Sequence, residues 1–521
     1  MFYSQWKTFP VFLAISLQII GNGTCLRRKK TMHKRLIWMV LVALILYLPG
    51  SFLNISVVHG QTKEKIELDS LALFPNPDPP FQEKDHPGSV AKTPKNVVLM
   101  IGDGMGIGQL EIARLFEHGK NGRLFMETLP NVALAHTYSE NNTVTDSAAA
   151  GTALATGKKT NNEMIARTPD NKPVESILKK VKKGGKKVGI ITTNKVTDAT
   201  PATFTASVKN RWSDQTEIAK QQLNDGLDVV LGGGKSDFEP EQQNGVNLIE
   251  KFKSNGYTFV NNRADLSKAT GEKLLGLFNK DHLSFKLDRE ELKSEEPSLK
   301  EMTEKGLEFL SEGDSGFFLM VEGGRIDHAS HAADLPSVWK ETIEFDHTVE
   351  YVTNWAKERG DTLVVVLADH ETMGISATEA MDIKALKQIE VSHEFMAKQL
   401  KKIERTGDYT ADSIRDVFKT YANMDISDEE IVKFNEKIKN VRDKVYSHRR
   451  VGWEIGSMIT EHYHGGIVSS ATRSLSSTGG HTGNLVPVFA YGVGSDKFEG
   501  VLNNTDIPKT IADLMGYRME D

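Results

Sequence analysis

Cysteine is almost missing from this 521-residue chain, whose one thiol is Cys25. A single cysteine forms no internal disulfide, and the chain beyond Gln61 has no thiol at all. Long apolar runs are also missing. Phe9–Ile20 and Leu36–Leu48 are apolar, but each falls short of the roughly 20 residues that a membrane-spanning helix needs. There is no basic block suited to a nucleic-acid backbone, and the mixed charges sum to −6, so specific nucleic-acid binding is not expected. The carboxyl end, "IADLMGYRMED", offers no apolar tail, and no lipid-anchor signal is expected there. No internal repeat is found.

The sequence does contain an export pattern. Met32, His33, Lys34 and Arg35 precede Leu36–Leu48, and Val58-His59-Gly60 has small residues at the two recognition positions for cleavage. This is the order of a secretory signal peptide, expected over Met32–Gly60 behind an upstream extension. The mature chain is then exported, periplasmic or extracellular, with no stable membrane anchor. A domain this large does not need disulfides outside the cell. Residues 61–94 are rich in Pro, Lys and Asp and are expected to form a mobile leader before a domain over 95–521.

In that domain short apolar runs alternate with helical patterns. Strands are expected at Asn96–Ile101, Lys187–Thr192, Leu227–Leu231, Gly316–Val321, Thr362–Ala368 and Val486–Tyr491, most of them continuously apolar, as strands buried on both faces are. Helices are expected at Val174–Lys183, Leu299–Leu310 and Pro336–Arg359. The alternation predicts an α/β fold, a three-layer α/β/α arrangement around a large, mostly parallel sheet. Chemistry in such folds collects beyond the carboxyl ends of strands. Ala377–Lys444 breaks the rhythm: it is Lys/Glu-rich and helix-patterned without a strand. It is either a helical insertion near the active-site edge, capping the site, or a solvated excursion with no role.

The stretch "TVTDSAAAGTALATGKKT", Thr143–Thr160, admits two readings: a loop that cradles a nucleotide phosphate, or a reactive Ser147 at the head of a helix. A phosphate loop needs four residues between its glycines, then Lys and a hydroxyl residue. Gly151 and Gly157 are separated by five, and Lys158 is followed by Lys159. The phosphate loop is excluded.

The strand ends carry the remaining signal. "NVVLMI" leads to Asp103, "GFFLMV" to Glu322, Asp327, His328 and His331, and "TLVVVLA" to Asp369 and His370, while His481 sits in a glycine-flanked loop before the last strand. Singly, an Asp after a strand often caps the next helix. Together these residues resemble metal sites. Asp327 and His331, four apart on one helical face, make with His481 a two-nitrogen, one-carboxylate set in the style of a catalytic zinc. Asp103, Asp369 and His370 make a second. Glu322 with a shared Asp103 offers the hard oxygens that suit Mg²⁺.

These motifs resemble those of alkaline phosphatases. "VTDSAAAGT" matches that family's serine signature in full, and "GDGMG", "DATP", "VEGGRIDHASH", "ADHET" and "TGGHTG" resemble its other motifs. The likeness runs from about Lys95 to the carboxyl terminus and is weakest over Ala377–Lys444. The resemblance implies hydrolysis of small phosphate monoesters through a phosphoserine on Ser147, with two Zn²⁺ and one Mg²⁺, broad substrate range and an alkaline optimum. One zinc would be held by Asp327, His331 and His481. The second would be held by Asp103, Asp369, His370 and Ser147, and the magnesium by Asp103, Thr200 and Glu322. Arg211 is implied to grip two phosphate oxygens, a fork geometry that lysine cannot copy. Asp198 and His328 are implied to act through water rather than bind metal; the bland reading is that Asp198 caps a helix opened by Pro201. Ala148–Gly151 are expected to be small so that metals and phosphate can approach, and Gly157-Lys158 to be the helix's exposed end. A homodimer is implied by the same resemblance. A diesterase or sulfatase would share much of the metal frame, but the run from Ser147 to Gly151 lacks the Pro and Arg of a sulfatase motif.

Overall fold

A computed structural model describes residues 93–289, 291–439 and 445–519. The upstream extension, the expected signal peptide and the leader as far as Lys92 lie outside the described residues. So does the end of the expected insertion, residues 440–444.

Twelve strands are described: β1 (Asn96–Gly102), β2 (Asn131–His136), β3 (Lys187–Lys195), β4 (Val229–Gly233), β5 (Tyr257–Val260), β6 (Lys273–Leu277), β7 (Phe317–Gly323), β8 (Thr362–Ala368), β9 (Glu371–Thr372), β10 (His481–Thr482), β11 (Val486–Gly492) and β12 (Gly500–Asn503). Ten of them form one sheet in the order β12-β2-β11-β8-β1-β7-β3-β4-β6-β5. β11 alone runs against the rest, antiparallel to both β8 and β2. The three-layer α/β expectation therefore holds, with one strand reversed.

The central strands form because their residues suit burial on both faces. Every residue of β1 (NVVLMIG), β7 (FFLMVEG) and β8 (TLVVVLA) is buried, and β-branched side chains fit that pleated environment. The 25-residue helix Leu335–Arg359 packs near them; Asp334 caps its start by accepting from the Ser337 N–H at 3.1 Å, and Gly360 ends it at φ 70°. The helix Leu299–Ser311 begins in a reciprocal Ser298/Glu301 capping box.

Local corrections to the sequence reading have simple causes. The helix expected from Val174 starts at Ile177, because Ser176 caps it through the Lys179 N–H. The strand expected from Leu227 starts at Val229, since the Asp228 side chain instead accepts from the Val188 N–H at 2.8 Å. Gly157 is not an exposed end: it is a buried, left-handed cap closing the helix Ser147–Thr156, and a Cβ on it would lie 3.0 Å from the Lys509 side chain. The Ala377–Lys444 region is helical as expected, with helices at Ile383–Leu386, His393–Gln399, Ala411–Ala422 and Asp428–Lys437, and a further helix follows at His448–His462.

Candidate metal centre and nucleophile

β1 pairs in level register with both neighbours, Gly102 opposite Ala368 and Gly323. Asp103 and Asp369 therefore leave one sheet edge side by side, with Glu322 two residues back on β7. Gly104 turns the chain at φ 67°, where a Cβ would come within 2.7 Å of Asp327 Oδ1. Glycine is needed there to let the backbone pass so close to that carboxylate. His481 reaches the same edge because β10 pairs antiparallel with β9, setting His481 opposite Thr372.

The expected residues converge. His370 Nε2 lies 3.3 Å from Asp103 Oδ1, 3.4 Å from Asp369 Oδ2 and 3.1 Å from Ser147 Oγ. His331 Nε2 lies 3.2 Å from Asp327 Oδ2 and 3.2 Å from His481 Nε2. The His370 and His481 rings stack with centroids 3.7 Å apart, so the two expected zinc sets share a wall.

Hydrogen bonds at the far ring nitrogens fix how these imidazoles act. His331 Nδ1 meets the Gly479 carbonyl at 2.9 Å, and His481 Nδ1 meets the Thr145 carbonyl at 2.9 Å. A carbonyl only accepts, so both Nδ1 atoms carry hydrogen. In the neutral rings the two Nε2 lone pairs then face each other, an arrangement suited to a shared cationic environment. His370 follows the same logic. The Thr372 hydroxyl donates to Asp327 Oδ1 at 2.6 Å and so accepts from His370 Nδ1 at 3.2 Å.

The carboxylates fit cations as well. Asp103 Oδ1, Glu322 Oε1 and Asp369 Oδ2 are buried and have no hydrogen-bond partner among the described residues. Burial first, then repulsion from Asp369, Asp327, Glu322 and Asp198, raises Asp103 well above the carboxylate range. Burial likewise pushes Glu322 up to about 8 and, with Asp327 beside it, Asp369 up to about 7. His481 is pushed down to about 4 by burial. Buried charge of one sign is costly unless paired or bound to metal. Thr200 Oγ1 stands 3.4 Å from Asp103 Oδ2, and Glu322, whose Oε2 accepts from the Thr192 hydroxyl, is close enough to Asp103 for the two carboxyl groups to act on each other.

Ser147 begins the helix Ser147–Thr156, whose every residue is buried. Asp146 caps that helix through Oδ1, which accepts from the Ala149 N–H at 3.0 Å. Two of the small residues of this helix are also required by packing. A Cβ on Gly151 would lie 2.9 Å from Thr203 Oγ1 and 3.5 Å from the Thr200 Cα, and Ala148 packs with Ala199 and Ala202. Close helix contact is thus what brings Thr200 to the site.

Arg211 bridges Asp146 Oδ2 and Asp198 Oδ1, each at 3.3 Å, and its buried Nε has no partner among the described residues. Burial opposes its charge, but the Asp198, Asp146 and Asp103 carboxylates outweigh burial and hold the guanidinium charged. Asp198 occupies the cap position of the helix Ala199–Thr205 yet makes no capping bond. Its other oxygen accepts from Asn194 Nδ2 at 3.2 Å. The capping reading of Asp198 fails, and Pro201 sits inside the helix rather than opening it.

His328 points away from the zinc sets: its Nδ1 accepts from Arg325 Nη1 at 2.7 Å. His282, which sequence reasoning missed, packs edge-on against it with centroids 4.4 Å apart. Nothing in "NKDHLSF" marks His282, because its loop reaches the site only through the fold. Thr372 and Asp146 were also missed, although both lie inside quoted motifs, "ADHET" and "VTDSAAAGT".

Comparison with known proteins agrees with this geometry. The family model described as alkaline phosphatase matches residues 94–517. Alkaline phosphatase 3 of Bacillus subtilis is 33% identical over 488 residues, covering 91% of this chain and 98% of its own. The crystal structure of Thermus thermophilus alkaline phosphatase superposes with a TM-score of 0.73 at 29% identity, covering 82% of this chain and 93% of that one. A His-to-Asp mutant of TAB5 alkaline phosphatase, with Mg bound in its M3 site, superposes at 0.58 with 28% identity over 82% and 99% of the two chains.

Proposed function

Because this chain belongs to the alkaline phosphatase family and is a phosphoric monoester hydrolase, we propose that it works through a phosphoserine on Ser147 beside two zinc ions and one magnesium ion. The observation that carries the reading is the position of Ser147 Oγ. It lies at a helix amino terminus, 3.1 Å from His370 Nε2, where the orphaned carboxylate oxygens and the inward imidazole nitrogens meet. Asp327, His331 and His481 would hold one zinc; Asp103, Asp369 and His370, with Ser147, the other; Asp103, Thr200 and Glu322 the magnesium. When bound, these cations supply Lewis acidity that lowers the pKa of the serine hydroxyl and neutralises charge on the leaving oxygen. The Mg-bound TAB5 relative supports the third ion.

The chain's own groups do the positioning. The amino terminus of the Ser147–Thr156 helix favours an incoming anion, and Asp146 fixes that terminus while also holding one arm of Arg211. With its arms set by Asp146 and Asp198, Arg211 presents its remaining donors to two non-bridging phosphate oxygens, which favours a dianionic monoester over a diester. His328 faces the phosphate through water. Broad substrate range follows from recognition centred on the phosphoryl group. Export rests on the charged and apolar order before Gly60, and a homodimer rests on the family likeness. Among the described residues no helix is long and apolar enough to cross a membrane.

The test is covalent trapping. Ser147→Ala should lose most activity while retaining zinc, and labelled phosphate trapped at mildly acidic pH should appear on the parent and not on the variant. Label on another residue of the variant would sink the assignment.

A further inference from the structure

The helical insertion has a role that the family reading leaves open. Between the insertion's helix His393–Gln399, the helix His448–His462 that follows the insertion and the 279–288 loop lies a cavity of about 250 Å³. His282, Arg325 and Phe285 form the core side of its lining, and Glu394, Lys398 and Arg449 come from the helices His393–Gln399 and His448–His462. The cavity shares its wall with the phosphate clamp. One ring nitrogen of His282, one of His328 and an Asp198 oxygen lie within 4.8 Å of one another, and Asp198 in turn holds Arg211.

That trio does not suit a metal. His282 Nδ1 accepts from the Lys195 N–H at 3.2 Å and His328 Nδ1 from Arg325 at 2.7 Å. Each neutral ring therefore keeps its hydrogen on Nε2 and offers a donor, not a lone pair.

Three cations and three carboxylates line the cavity, and they differ in how they are held. Arg325 is paired with Glu394 at 3.2 Å and rests on the Phe285 ring at 3.7 Å. Asp281 is held by Lys195 at 3.5 Å, and Asp288 accepts from the Ser392 N–H and hydroxyl, both at 2.6 Å. Arg449 and Lys398, in contrast, make no ion pair or hydrogen bond among the described residues. Arg449 is half-buried, and after burial itself its charge is the largest influence keeping His282 and His328 unprotonated. Among the described residues the cations on this cavity without a direct partner are thus Arg449 and Lys398, while His282 Nε2 already faces Asp281 Oδ1 at 3.6 Å. Their complement is an acceptor-rich dianion.

We propose that this cavity is a leaving-group subsite, in which Arg449, with Lys398 at its rim, selects phosphate monoesters whose alcohol carries a second phosphoryl group. The proposal rests on the phosphomonoesterase reading and names its substrate class. In the reaction the bond between phosphorus and the alcohol oxygen breaks, and phosphorus passes to Ser147 Oγ and then to a water oxygen. The water's proton ends on the alcohol, which leaves with its second phosphate intact beside inorganic phosphate.

The experiment compares hydrolysis of propane-1,3-diol monophosphate and propane-1,3-diol bisphosphate by the full chain loaded with zinc and magnesium. Two equivalent ends give the bisphosphate a statistical advantage of about twofold. One charge-assisted contact is worth roughly tenfold or more, so kcat/KM should favour the bisphosphate by about tenfold beyond that. In Arg449→Gln the ratio should fall towards two, and in Lys398→Gln it should fall less. Arg449 makes no ion pair or hydrogen bond among the described residues and only helps Glu394 at a distance, so its variant should melt close to the parent. A parental ratio near two, or a ratio unmoved by Arg449→Gln, overturns the subsite while monophosphate hydrolysis still stands. Hydrolysis of neither compound overturns the phosphatase reading and the subsite with it.

Discussion

His331, His370 and His481 differ from His282 and His328 at one ring atom. In the first group Nδ1 donates to a carbonyl or a hydroxyl, leaving Nε2 as a lone pair that faces the buried carboxylates. In the second group Nδ1 accepts, from a backbone N–H or from Arg325, so Nε2 keeps its hydrogen. Asp327 and His328 are neighbours in the chain, yet they sit in two regions and face different groups: Asp327 meets His331 Nε2 and the Thr372 hydroxyl, and His328 meets Arg325. The partner of the far nitrogen, rather than the residue type, decides which a histidine does.

Removing metal should have the largest effect and should strike only the first region. A chelator is expected to abolish activity and to make stability depend on pH in a defined direction. Glu322 rises to about 8 and Asp369 to about 7 in the folded chain without cations, against roughly 4 for both in an unfolded one. Between these limits the folded state holds protons that the unfolded state has released, so stability falls as pH rises. His481, lowered to about 4, acts oppositely: its contribution is lost as pH falls below about 6.5. From about pH 6.5 to 8 only the carboxylate trend remains. The melting temperature of chelated protein should therefore drop more steeply across that range than that of metal-loaded protein, in which Glu341, pushed up to about 7 by burial, still titrates. Parallel melting curves would mean the carboxylates are not where the cations bind.

A narrower cut is Thr372→Val, which removes one hydroxyl serving both expected zinc sets. It leaves His370 Nδ1 without its acceptor and Asp327 Oδ1 without its donor. Loss of such an outer partner usually costs about 10–100-fold in metal affinity or activity. Zinc retention during titration with a chelator measures this, and Thr372→Ser should restore most of it. Retention equal to the parent would show that the tautomer of His370 does not depend on Thr372.

The two regions were unequally legible in the sequence. Ligands at strand ends could be read because apolar runs such as "TLVVVLA" are followed directly by Asp369 and His370, and the sheet then sets those ends level. Short or edge strands could not: β2 alternates exposed and buried residues, and β9 and β10 have two residues each. The place of Arg211 was not legible from spacing either, because it depends on Asp146 and Asp198 meeting across two helices. The donor region was the least visible. His282 and Arg449 lie far apart in the chain, and only the packing of the insertion and the helix after it puts them on one cavity. The small residues after Ser147 were visible, but the contact of Gly151 with Thr200 and Thr203 was not, because it depends on how two helices pack.

The smallest expected effect is at Asp198, where the two regions join. Asp198 lies two residues before Thr200 and accepts from Arg211 and Asn194. Since it makes no capping bond, replacing it does not remove a helix cap. On the proposed reading its carboxylate would keep the expected magnesium site rich in oxygen and hold water there, which suits the octahedral preference of Mg²⁺. Asp198→His puts an imidazole in that position, next to His282 and His328, whose Nε2 atoms are committed as donors. The new ring has no such commitment, so its lone pair is available, and imidazole favours Zn²⁺ over Mg²⁺. The variant should purify with about three zincs where the parent holds about two zincs and one magnesium. Its activity should rise several-fold on adding Mg²⁺. Phosphate inhibition should also change modestly, because Arg211 loses one of its two anchors. Metal analysis decides the matter. If parent and variant carry the same metals and respond equally to Mg²⁺, Asp198 serves only to hold Arg211, and the boundary between the two regions lies at Thr200 instead.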